Sequence, residues 1–335
     1  MRRTHAHTPE DSAARRWSAG PGASRWSSSP RLACSPVPLP PTRWPTVELS
    51  DDEETVYAIN AGSNSVTAFR VRDDDGQKPG LELVATVASA GVAPVSVDEH
   101  DGRVYVLNSG ATPNVTAFTV GQGGALTPIP GARDLPGALG AAQVSVTPDG
   151  SRLVVSERLS DRLETLALDD GGRPGVPVVS ASSGTVPFGF AFGRRGELIV
   201  SEAGAGSVSS YRIGNGGALT TITPSLPVNQ GAACWLAASP NSRFAYTGNA
   251  SGSISGFAIT GGGSLTALDA DGLTAGLVPS RDLDFARNGR YLYAVSPGNT
   301  TTNGRVTGYR VGADGSLTEI TSAPAAAGIT GAAAA

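Results

Sequence analysis

The chain has 335 residues, a formal net charge of −4 and 16% charged residues, with Lys78 as its single lysine. That balance leaves no basic surface for nucleic acid, and no apolar run reaches the ~18 residues that a membrane span needs. Two cysteines and three histidines exclude a zinc cluster and a disulfide-dense scaffold. The 44 glycines and 24 prolines are spread along the whole chain. Helices do not tolerate such spacing, so an all-β chain of short strands and tight turns is expected.

Residues 1–45 stand apart. They hold Trp17, Trp26 and Trp44 but no alternating run, and seven arginines face only Glu10 and Asp11. No apolar core of a signal peptide is present. The expectation is a non-repeat segment, disordered or translated from a misassigned start, that adds no strands to the fold. As written the chain reads as cytoplasmic; a missing true start would leave export open.

From residue 46 the chain repeats. An apolar strand recurs as TVYAIN, RVYVLN, RLVVSE, ELIVSE, RFAYTGN and RYLYAVS. Its last residue is Asn60, Asn108, Glu157, Glu202, Asn249 and Ser296, at intervals of 48, 49, 45, 47 and 47. An alternating strand follows (SVTAFRV, NVTAFTV, RLETLAL, SVSSYRI, SISGFAI, RVTGYRV), then a Gly-rich corner and a third strand (GGALTPI, GGALTTI, GGSLTAL, DGSLTEI). Each unit closes with a further apolar strand, as in VSVDEHDG and VSVTPDG. Four short strands every ~47 residues are the signature of a propeller blade. Blades are expected near 46–87, 94–129, 142–179, 187–222, 234–268 and 280–320. Pro148-Asp149-Gly150 and Arg287-Asn288-Gly289 are expected to form type I′ hairpin turns. Six complete blades leave the ring unfinished, with the C-terminal 329–335 available as one further innermost strand.

The stretches YAINAGSNSVTAF, QVSVTPDGSRLVVSE, PFGFAF…GELIVSEAGAGSVSSY and GAACWLAASPNSRFAYTGN resemble the lactonase-type seven-bladed β-propellers. That family includes the propeller form of 6-phosphogluconolactonase and carboxymuconate cyclase. The resemblance covers about 47–335 and implies hydrolysis of a small sugar or carboxylic acid lactone. The family's Pro-His pair before an innermost strand is replaced here by Pro94-Val95 and Pro187-Phe188.

The repeat supplies its own control for a site. Where three blades end the strand in Asn, a natural turn former, two adjacent blades carry Glu157 and Glu202. Residues leading into innermost strands belong to the same face of a propeller. That face should gather Glu157, Glu202 and Arg281 as catalytic groups, with Arg158, Gln143, Phe188, Trp235 and Asp282 around the substrate. A carboxylate would take a proton from water and a guanidinium would neutralise the developing oxyanion. The structural alternative is a Glu–Arg pair that ties blades together. No phosphate loop or G-x-S-x-G elbow occurs. No cofactor and no metal is expected, although Asn60, Asn108 and Glu157 would be the ligands of a metal-dependent variant. The expected partner is a small lactone; the competing function is a non-enzymatic binding or surface-associated propeller.

Overall fold

The computed structural model of the protein describes residues 47–72, 80–276, 282–298, 303–326, 329, 331 and 333–334. Residues 1–45 and Arg281 lie outside these, and with them the expectations placed there. The described chain is built of six antiparallel sheets, each a meander of consecutive strands. Blade 1 comprises β1 (Val47–Leu49), β2 (Thr55–Asn60), β3 (Ser65–Arg72) and β4 (Gly80–Ala88). Blade 2 comprises β5 (Pro94–His100), β6 (Arg103–Asn108), β7 (Asn114–Val120) and β8 (Leu126–Asp134). Blade 3 comprises β9 (Ala141–Val146), β10 (Arg152–Glu157), β11 (Arg162–Ala167) and β12 (Val178–Ala181).

Blade 4 comprises β13 (Pro187–Phe192), β14 (Leu198–Glu202), β15 (Ser207–Ile213) and β16 (Leu219–Pro227). Blade 5 comprises β17 (Ala233–Ala238), β18 (Phe244–Asn249) and β19 (Ser253–Ile259). Its outer edge is split between β20 (Leu265–Ala267) and β21 (Ala275–Gly276), both paired with β19. Blade 6 comprises β22 (Asp282–Phe285), β23 (Tyr291–Ser296), β24 (Gly304–Val311) and β25 (Leu317–Ala325). The expected propeller and its six blades are borne out, with outer strands a few residues longer than the repeat suggested.

Burial explains the sequence pattern. The second strand of each blade is enclosed by both neighbours, so β6, β10, β14 and β18 are buried almost throughout. The outermost β4, β16 and β25 are largely exposed. Five apolar clusters fill the spaces between consecutive blades. Tyr57, Val66, Val97 and Phe118 join blades 1 and 2. Val115, Leu135, Val144 and Leu153 join blades 2 and 3 in a cluster that extends to Phe188 and Trp235. Val154, Leu163, Phe190 and Tyr211 join blades 3 and 4. Ile199, Val208, Leu236 and Phe257 join blades 4 and 5, and Tyr246, Ile254, Leu283 and Tyr309 join blades 5 and 6.

One turn assignment is corrected. In 147–150 only Gly150 has a positive φ, and Gly150 N–H bonds back to Thr147 O. The same holds for Gly289 and Ala286. Both are type I turns closed by a left-handed glycine, and in the first Pro148 cannot take the positive φ that a type I′ turn requires. The I′ geometry occurs instead at Asp101-Gly102, where both residues have positive φ.

Candidate active site in the axial channel

The innermost strands β1, β5, β9, β13, β17 and β22 surround the propeller axis. Their free edges are latched by side chains. Ser96 Oγ accepts Val144 N–H at 3.2 Å, and Asp98 accepts Val146 N–H at 2.8 Å and the Ser145 hydroxyl at 3.1 Å. Gln143 donates to Phe190 O and accepts Phe190 N–H, both at 2.9 Å. Asp284 accepts the backbone N–H of Ala334 at 2.6 Å.

Between these strands lies a cavity of about 410 Å³. Its lining includes Glu48, Gln143, Trp235, Asp282, Asp284 and Arg287. Three of the residues expected from sequence to bind substrate, Gln143, Trp235 and Asp282, therefore share one cavity. Phe188 packs edge-on against Trp235, with ring centroids 4.8 Å apart and planes at 72°. The Arg158 guanidinium lies 5.6 Å from the Phe188 centroid, and Arg158 Nε donates to Gly140 O at 3.3 Å.

Glu157 and Glu202 are both completely buried, and they share no hydrogen-bond partner. Oε2 of Glu157 accepts from Leu139 N, from Ser160 Oγ and from the guanidinium of Arg162 at 3.0 Å. Glu202 accepts from Gly184 N at 2.7 Å, Ser209 Oγ at 2.7 Å, Ser207 Oγ at 2.6 Å, Ser182 Oγ at 3.0 Å and Tyr211 Oη at 3.3 Å. Each thus holds the segment that leads into its own blade. Asn108 does the same through Ser89 O at 3.4 Å. This is the geometry of loop anchors, and Arg162 rather than a neighbouring blade supplies the cation for Glu157.

The register reveals carboxylates that the strand-end comparison missed. Glu48 faces Tyr57 across its strand pair, Asp98 faces Tyr105 and Asp284 faces Tyr293. The equivalent residues of blades 3, 4 and 5 are Ser145, Ala191 and Ala237, opposite Val154, Ile199 and Tyr246. Blades 6, 1 and 2 therefore present an acid at one level of the axis where the other three present small side chains. Burial, then the charges of Asp98, Asp284 and Asp282, push the Glu48 carboxyl well above its ordinary range. Burial raises Asp98 to about 7 against the hydrogen bonds from Val146 and Ser145. It raises Asp284 to about 6 against those from Ala334 and Phe285. The sequence hid this equivalence, because VSVD (95–98) read against VSVT (144–147) sets Asp98 opposite Thr147, whereas the strand register makes Ser145 its counterpart.

A cavity of apolar and aromatic walls with convergent polar groups is the usual form of a small-molecule site. Carboxyls displaced to different values near neutrality can divide the roles of acid and base. Among the described residues no group of three or more His, Cys, Asp or Glu is arranged to hold a metal ion, and none of their helices is long and apolar enough to cross a membrane.

Residues 113–232 match the family model described as lactonase, 7-bladed beta-propeller. A search of curated protein sequences finds no match. Solved structures share the fold. A protein described as a 6-phosphogluconolactonase from Bacteroides fragilis superposes with a TM-score of 0.69 at 21% identity, covering 84% of this chain and 85% of that one. The periplasmic gluconolactonase of Pseudomonas aeruginosa gives 0.68 at 18% identity, covering 84% and 86%. Virginiamycin B lyase of Staphylococcus aureus gives 0.53 at 14% identity, covering 83% and 84%, so the same ring also carries other chemistry. Residues 113–232 are thus similar in sequence to the lactonase-type seven-bladed β-propellers, within a propeller whose described residues form six blades.

Proposed function

We propose that the axial channel hydrolyses a small, electrically neutral lactone. The observation that carries this reading is the pair of register-equivalent acids Glu48 and Asp284, both raised above their ordinary range, that line one cavity, with Asp98 at the same register level of the next blade. Asp284, ionised near neutral pH, takes a proton from the attacking water. Glu48, held protonated, returns a proton to the ring oxygen as the acyl–oxygen bond breaks. Trp235 provides the aromatic wall, backed by the buried Phe188. Gln143 is occupied at both ends by Phe190 and keeps that wall in register. Arg281 directly precedes Asp282 in the chain and is the proposed partner of the developing oxyanion. Glu157 and Glu202 serve the site by holding the segments that deliver β9 and β13.

The charge of the channel favours a neutral sugar lactone over a phosphorylated one. The charges of Asp98, Asp284, Asp282 and Glu99 all bear on Glu48, and Arg287 is already paired with Glu53 at 2.7 Å. A phosphate dianion would enter against that field.

A lactone panel tests the reading. Gluconolactone-type substrates should be opened faster than their 6-phosphorylated counterparts. Glu48→Gln and Asp284→Asn should each lower turnover ~100-fold or more without loss of the folded state. Full activity in both variants would place hydrolysis elsewhere. No turnover of any lactone would favour a binding propeller.

A further inference from the structure

The six blades provide a second internal control. Two residues before each strand end, the partner on the next strand is Thr67, Thr116, Ser209, Ser255 and Thr307 in blades 1, 2, 4, 5 and 6. In four of these the hydroxyl meets the strand-end residue. Asn60 donates to Thr67 at 2.9 Å, Asn108 to Thr116 at 3.4 Å and Asn249 to Ser255 at 2.8 Å, while Ser209 donates to Glu202 at 2.7 Å. Blade 3 places Glu164 there, paired with Val155 two residues before Glu157.

Glu164 is completely buried. Both of its carboxyl oxygens, and Oε1 of Glu157, have no hydrogen-bond partner. All the donors on Glu157 converge on Oε2. Two carboxylates facing one guanidinium would leave a net negative charge uncompensated in a dry interior, which is strongly disfavoured. We infer that Glu164 is a neutral carboxylic acid that donates its proton to Oε1 of Glu157, so that the two side chains form a shared-proton pair beneath the segment entering blade 3. In this arrangement the carboxylic O–H stands where the other blades use a hydroxyl or an amide N–H.

The surroundings agree. Burial and then Glu157 push the Glu164 carboxyl up to about 8, and only Arg162 opposes them. On β8, Arg133 is turned to Pro174 O at 3.1 Å and is followed by Asp134. In the turn after β10, Arg158 bonds Gly140 O and Asp161 accepts Val186 N–H. Neither β12, β7 nor the 135–140 segment contributes a titratable side chain. Ionising Glu164 would set two anions against each other and loosen the hold of Glu157 on Leu139, and so the segment that carries Gln143 into the channel.

The test is unfolding as a function of pH in the full chain, its Glu164→Gln variant and its Glu164→Ser variant. A group whose folded pKa lies above its unfolded value stabilises fully below the unfolded value, and that contribution is lost as pH rises through the folded one. The wild-type unfolding constant should therefore gain an increment of up to ~10-fold per pH unit between the ordinary glutamate range and about 8. Both variants should lack that increment. Retention of it in both would overturn the pair. So would stabilisation by sodium or calcium that disappears in Glu164→Gln, because a cation would then hold the carboxylates. If neither variant folds, carbon-13 NMR of carboxyl-labelled glutamate in a Glu48→Gln background decides. One glutamate should titrate near pH 8; no glutamate titrating above pH 6 would overturn the inference.

Discussion

Gln143 and Phe190 hold each other in both directions, the amide N–H of Gln143 on Phe190 O and Phe190 N–H on the amide oxygen of Gln143. They stand 47 residues apart, one blade interval. The side chain thus does for two neighbouring innermost strands what a ladder does within a sheet. Gln143→Ala would leave both backbone groups of Phe190 without their partner, a loss of about 2–3 kcal/mol. Urea unfolding should show that loss, and Gln143→Glu, which cannot donate to Phe190 O while ionised, should recover little of it.

Glu202 collects five hydrogen bonds in a fully buried position. Glu202→Ala strips Gly184 N–H and the Ser209 hydroxyl of their acceptor and opens a cavity. A destabilisation of about 3–5 kcal/mol is expected. Calorimetry should find it, whereas Glu202→Gln keeps the volume and part of the bonding and should cost less.

Gly189 faces the next blade with no room to spare. A Cβ there would stand 2.8 Å from Cys234 O and 2.9 Å from Trp235 Cα, both backbone atoms. Gly189→Ala should therefore push β13 and β17 apart, cost about 1–3 kcal/mol and shift the fluorescence of Trp235.

The channel acids give the activity and the stability opposite pH trends. With Asp284 near 6 and Glu48 well above its ordinary range, lactone turnover should rise through pH 6 and fall again as Glu48 ionises. Stability runs the other way. Glu48, Asp98 and Asp284 all have raised folded values, so the stability present below the ordinary carboxyl range is lost as pH rises, for Asp98 through about 7. Asp98→Asn should flatten that part of the curve in thermal unfolding across pH 4 to 8.

The period near 47 made the blades legible, because each blade solves the same packing problem with the same strand pattern. It also made Gln143, Trp235 and Asp282 legible, since their repeat position leads into an innermost strand. The roles of Glu157 and Glu202 were not. Register gives the strand to which a residue belongs, but both faces of a blade are buried, and only the contacts distinguish a residue that meets the axis from one that meets the incoming loop. Glu48 escaped notice because β1 is a three-residue strand, too short to show alternation. Glu164 was hidden inside RLETLAL, where a single acid reads as the polar phase of a half-exposed strand.

Five junctions of the ring are filled by apolar side chains, and at the passage from blade 6 to blade 1 Arg287 reaches Glu53 at 2.7 Å and Ser50 O at 3.0 Å. Concentrated salt strengthens apolar contacts when its ions are excluded from the surface and weakens the attraction between exposed charges. The propeller is therefore mechanically uneven. A salt whose ions are excluded from the surface tightens five of its joints and slackens the Arg287 clasp, so a force that prises the ring open would find its weak point there.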